Sequence, residues 1–133
     1  MGDAVAGHFG ELIGVELLDL GADEATARIA VRDHHKQPHG VVHGGVYASL
    51  AETVASAAAT AALEEADMIA LGQMNSATFL RPVSEGHVNA VARTRHRGRT
   101  TWVWDVELTD DDGKLCALVR MTVALRPRPT DAG

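Results

Sequence analysis

Residues 36–56 read KQPHGVVHGGVYASLAETVAS, and they divide the chain into a loop, a helix start and a helix. From Asp33 to Val42 the chain holds His34, His35 and His39 with Pro38 and Gly40, a solvated loop with room for one helical turn. From Gly44 to about Glu65 it is Ala-rich, lacks proline and has no glycine after Gly45, so one helix of about five or six turns is expected. Ser49, Glu52, Thr53, Ser56 and Thr60 fall along one stripe of that otherwise apolar cylinder. Val46 to Leu63 approaches membrane-spanning length, but these polar residues make it a buried helix of a soluble protein. Such a helix must be wrapped, and only sheet is available to wrap it.

Val15–Leu20 and Glu24–Val31 read as strands around the turn Gly21-Ala22-Asp23, and Val5–Leu12 as a short helix before them. Ala25, Ala27, Ile29 and Val31 alternate with Glu24, Thr26 and Arg28, the period of a half-buried strand. After the long helix come four more strands, Met68–Leu80, Gly86–Arg97, Arg99–Thr109 and Lys114–Arg126. Their hairpin-length links predict an antiparallel meander. The fold class is α+β, a curved antiparallel sheet around one central helix. Trp102 and Trp104 share a face and suit core packing, and Cys116, beside Leu115 and Ala117, suits a buried filler.

The chain has 133 residues and 46% hydrophobic content, which fits one domain. We assign that domain to residues 1–126 and a flexible tail to 127–133. The net charge of −6 with scattered basic residues argues against nucleic-acid binding. A lone Cys116 and an N-terminus without a signal-peptide pattern point to the cytoplasm, with no membrane partner. The loop histidines lack the fixed Cys or acidic spacing of a metal site, so neither metal nor cofactor is expected.

His43 stands at the N-cap, and Gly44 and Gly45 open the first turn. Their backbone N–H groups, with the helix dipole, can hold a developing oxyanion, although paired glycines equally serve close packing. Glu52 lies about 12 Å further along the axis, too far from Gly44 to serve one carbonyl within a single chain. A two-fold dimer solves this by facing one helix start with the other chain's carboxylate.

The run KQPHGVVHGGVYASLAETVAS, with the later FLRPVSEGHV and the glycine before Arg99, resembles the signature of hot-dog acyl-CoA thioesterases. The resemblance is to the subgroup with aryl- and phenylacyl-CoA thioesterases and the thioesterase of menaquinone biosynthesis, and it covers all but the tail. It implies hydrolysis of an acyl-CoA with an aromatic or medium-chain acyl group, by a homodimer or a dimer of dimers. Glu52 would be nucleophile or general base, the Gly44 N–H would polarise the carbonyl, and Gln37 would orient the thioester or water. His43 would support the loop or bind near the carbonyl, and Ser56 would position water one turn beyond Glu52. Arg81 and Arg99 match positions near the CoA phosphates, whereas Phe79 and Pro82 depart from the polar residues of some relatives. Gly45, Met74 and Phe79 are further candidates for substrate contact. A hot-dog hydratase or dehydratase and a non-catalytic acyl-CoA binding protein are the alternatives. The exposed edge of Met68–Leu80 is the expected dimer seam.

Overall fold

The computed structural model describes residues 4–130. Helix α1 (Phe9–Leu12) leads into strands β1 (Val15–Leu20) and β2 (Glu24–Ala30). A 3₁₀ turn at Asp33–His35 and helix α2 (Gly44–Ala62) follow, then β3 (Met68–Phe79), β4 (His87–Arg97), β5 (Thr101–Thr109) and β6 (Leu115–Pro127). All six strands form one sheet in the order β1-β2-β4-β5-β6-β3, antiparallel at every seam. This curved sheet around one long helix is the hot-dog fold.

Helix α2 stops at Ala62, earlier than its composition predicts, and gives way to a 3₁₀ turn over Glu64–Ala66 with Asp67 left-handed at φ 56°. Glu64 and Glu65 fall where the helix dipole is negative, so carboxylates there oppose further helix. The buried residues Tyr47, Leu50, Ala51, Val54, Ala55, Ala58 and Ala59 repeat every three or four positions and face the sheet. The small alanines let helix and sheet approach closely, around a core that includes Trp104, Ile29, Leu108 and Met121. The sheet therefore wraps one face only, and the stripe with Glu52, Thr53 and Ser56 stays outside it. Trp102, Trp104 and Cys116 are buried as expected, and the Trp102 indole also donates to the Gly98 carbonyl at 3.0 Å.

The meander is shorter than expected: β4, β5 and β6 are consecutive neighbours, but β3 pairs with β6 at the far edge and β4 pairs with β2. The link from Leu80 to Gly86 is long enough to cross three strand spacings of about 4.8 Å each. Val83 is buried within it and its carbonyl accepts from Val42 N–H at 2.8 Å. The link thus closes the sheet over the start of α2, and it leaves β3 as an edge strand. From Leu71 to Ser76 every residue of β3 is exposed. A bulge at Gln73 interrupts its register with β6.

Candidate functional site

The start of α2 is set by His43, whose backbone is extended and whose Nδ1 accepts the Gly45 N–H at 2.8 Å. Helix starts leave such donors orphaned, and His43 satisfies this one. The N–H of Gly44 has no backbone or side-chain acceptor among the described residues, so Gly44 alone offers the free donor that the Gly-Gly pair suggested. Close packing holds at the same residue: a Cβ at Gly44 would meet the Phe79 ring at 2.5 Å. Phe79 in turn packs against Tyr47, ring centroids 5.8 Å apart. The Tyr47 hydroxyl is buried and, among the described residues, meets no partner at full hydrogen-bond geometry. Burial pushes its pKa up to about 12, with Cys116 adding to the rise and the nearby Val83 backbone offsetting part of it.

Glu52 sits mid-helix on the face that the sheet leaves uncovered, and in the single chain it is exposed. Its carboxylate lies against Gly72 of β3, where an added Cβ would be 3.0 Å from Cδ and from Oε2. Two grooves meet at this side chain. One, of about 410 Å³, runs beside Ser56 and Ala57 to Thr60 and is walled by Val5, His8 and Phe9. The other, of about 380 Å³, runs past Ser49 and Ala48 to Asn75. Asn75 donates to the Ala48 carbonyl at 2.9 Å, and Ala70 N–H donates to Thr60 Oγ1 at 3.0 Å, so β3 is held to the helix on both sides of Glu52. The Ser56 hydroxyl, one turn on, is buried without a hydrogen-bond partner.

The remaining candidates are spread. Gln37 is half-buried in the loop before α2, its side-chain carbonyl accepting from His39 N–H at 2.9 Å. Phe79 is 54% and Met74 62% exposed on the free edge. Arg81 follows β3 and lies 4.0 Å from Asp110. Arg99 precedes β5, whose Thr101 pairs with Ala124, itself opposite Leu71 at the start of β3. The two arginines therefore stand at opposite ends of the edge strand. Arg99 makes no ion pair among the described residues.

Three features escape a reading of the sequence. Val5, His8 and Phe9 wall the Glu52 groove, and no local pattern announces it. Gly72 does carry a signal, since a lone glycine inside a strand marks a bulge or a close approach. His35, expected in a solvated loop with His34 and His39, is instead only 3% exposed. Its ring is enclosed because it bonds backbone on both sides, to Arg32 and to Ile13.

A family model described as the thioesterase superfamily matches residues 39–117. The chain belongs to the thioesterase superfamily. A thioesterase from Pseudomonas aeruginosa is 37% identical over 124 residues, covering 93% of this chain and 86% of that protein. Its crystal structure superposes with a TM-score of 0.89 at 34% identity over 95% of this chain and 91% of that one. A 1,4-dihydroxy-2-naphthoyl-CoA hydrolase from Listeria monocytogenes is 35% identical over 118 residues, 89% of this chain and 95% of that enzyme. Two crystal structures of a Staphylococcus aureus thioesterase match with TM-scores of 0.86 and 0.85, at 31% and 30% identity, covering 90% and 89% of this chain and 99% and 98% of theirs. One carries a glutamate-to-alanine and the other a glutamine-to-alanine substitution, 15 positions apart. This thioesterase is thus a thioester hydrolase, and among the described residues no helix is long and apolar enough to cross a membrane.

Proposed function

We propose that this thioesterase hydrolyses an acyl-CoA at sites shared by two subunits, with Glu52 as nucleophile or general base and the Gly44 N–H as oxyanion donor. The observation that carries the reading is that both groups adjoin one free strand edge: Phe79 packs on Gly44, and Gly72 adjoins Glu52. Along α2 the two are about 12 Å apart, beyond the reach of one carbonyl. Antiparallel pairing of β3 with its two-fold copy, centred near Asn75 and Ser76, sets Phe79 opposite the partner subunit's Gly72. That brings a free N–H and a carboxylate to one place from two chains. Leu71, Met74, Phe79 and Leu80 are between 52% and 62% exposed along this edge, apolar surface that such pairing removes from water.

The chemistry asks for little more. The thioester carbon takes an oxygen from water that Glu52 deprotonates, or from Glu52 itself to give an anhydride that water then hydrolyses; negative charge develops on the carbonyl oxygen beside the Gly44 N–H, and the C–S bond breaks. A thiolate with a pKa of about 8.5 leaves without a strong general acid. Gln37 and Glu52 are separated as the two substituted residues of the Staphylococcus aureus relative are, which supports Gln37 as the group that orients the thioester or water. The Ser56 hydroxyl, buried and unpartnered among the described residues, suits a water held one turn beyond Glu52. Of the two grooves that meet at the carboxylate, the one ending at Thr60 suits an aromatic or medium-chain acyl group. The naphthoyl-CoA hydrolase among the relatives agrees with the aromatic end of that range. Arg99, without a carboxylate partner among the described residues, is better placed than Arg81 to meet a CoA phosphate.

The test is thiol release from a panel of short, long and aromatic acyl-CoAs by the wild type and Glu52→Ala. The variant is expected to lose on the order of 10³-fold or more in kcat while staying folded. Retention of the wild-type rate would remove Glu52 from the mechanism.

A further inference from the structure

Among the described residues His35 is the one buried polar or charged residue, 3% exposed with the His34 ring centroid 4.2 Å from its own, and it joins three parts of the chain. Its Nδ1 accepts the Arg32 N–H at 2.9 Å, which leaves the proton on Nε2. That nitrogen, 2.7 Å from the Ile13 carbonyl, donates to it. Its own backbone carbonyl accepts the His43 N–H at 2.9 Å. Ile13 closes α1, in the segment that walls the Glu52 groove, and His43 caps α2 immediately before Gly44. Between His35 and His43 lies the loop with Gln37, crossed by the bridge from Lys36 to Val42.

We infer that His35 is a positioning residue: its neutral ring pins residues 36–43 to the N-terminal segment, and so holds Gln37 and the Gly44 N–H in their working direction. The inference rests on the proposed roles of Gln37 and Gly44. A loop between two fixed ends keeps its shape only if both ends are held. The upstream end here has the ring-to-Ile13 bond as its side-chain anchor to another part of the fold. The downstream end has the Val42 bond to Val83. Loss of the first lets the loop shift against α2, and small displacements of positioning groups are costly in rate.

Gln and Asn separate the two ring bonds, because the Gln amide nitrogen reaches the place of Nε2 and the Asn oxygen that of Nδ1. His35→Leu is expected to lower kcat for the best acyl-CoA by about 10- to 100-fold with KM within about 3-fold, and His35→Gln to restore it to within about 3-fold of wild type. His35→Asn should stay slow. Amide hydrogen exchange at His43, whose N–H bonds the His35 carbonyl, should quicken in the Leu and Asn variants and not in the Gln variant. A folded Leu variant with the wild-type kcat, or Gln and Asn variants that are equally fast or equally slow, overturns the inference. If the Leu variant does not fold, the comparison of Gln with Asn decides. If the wild type releases no thiol from any acyl-CoA, the thioesterase reading of the site fails, and the exchange rates alone then decide whether His35 holds the loop.

Discussion

Glu52 and Gly72 touch: the carboxylate of the helix lies where a side chain on the strand would otherwise stand, with Cδ and Oε2 3.0 Å from a Cβ placed at residue 72. This contact links the position of the acid to the edge strand rather than to the helix alone. Gly72→Ala requires the carboxylate to shift by a few tenths of an ångström, a small change for packing and a large one for the proposed attacking group. We expect kcat to fall on the order of 10-fold with stability changed by less than about 1 kcal/mol. Steady-state kinetics beside urea unfolding checks this, and an unchanged kcat would mean that the acid tolerates displacement.

Sites shared by two subunits, as proposed, make a prediction about mixed dimers. Glu52→Ala and Gln37→Ala are each expected to be inactive or slow alone. In a mixed dimer one site collects both lesions and the other has neither. An equal mixture, unfolded and refolded together, should therefore recover about a quarter of the wild-type rate. Sites contained in one chain would recover nothing beyond the sum of the two variants.

The unpaired Tyr47 hydroxyl makes a prediction of opposite sign to most core substitutions. A buried hydroxyl without a partner costs stability, and Tyr47→Phe keeps the ring packed against Phe79. Unfolding free energy is expected to stay level or to rise by up to about 1 kcal/mol. A loss greater than about 1 kcal/mol in denaturant melts would show that the hydroxyl makes a hydrogen bond.

Asp105 predicts a dependence on acid. Arg120 binds its carboxylate through two nitrogens at 2.7 and 3.1 Å, and Arg95 approaches at 3.4 Å. The hydrogen bonds from Arg120 hold its pKa below the usual value, against the opposing effect of burial and with help from the positive charges of Arg120 and Arg95. A depressed carboxylate stabilises fully above its unfolded pKa of about 3.9, and the benefit is lost as pH falls through the lower folded value. The stability gap between the wild type and Asp105→Asn should thus be constant from neutral pH down to about pH 5 and close below about pH 3.9. A gap that persists at the acid end would place the effect elsewhere.

Much of this protein was open to reading before its fold was known, because the relevant signals are local. A breaker-free run after Gly44 makes a helix from its own backbone preferences. The alternation through Trp102, Trp104, Val106 and Leu108 assigns a buried face wherever that strand pairs. The HGG run with Glu52 downstream marks the groups of the proposed site, and their separation along one helix follows from the helical rise alone.

What tertiary structure alone decided lies in contacts between distant parts of the chain. Hairpin-length links did not make β3 the neighbour of β4, because burial of Val83 and its bond to Val42 route the link across the end of the sheet. The edge position of β3, the Gly72 contact with Glu52, the wall that Val5 and Phe9 give the groove and the enclosure of His35 all follow from that routing and from packing. Periodicity states which side of a strand or helix seeks an apolar partner. It does not state which partner arrives, since that choice is made by the free energy of the whole core.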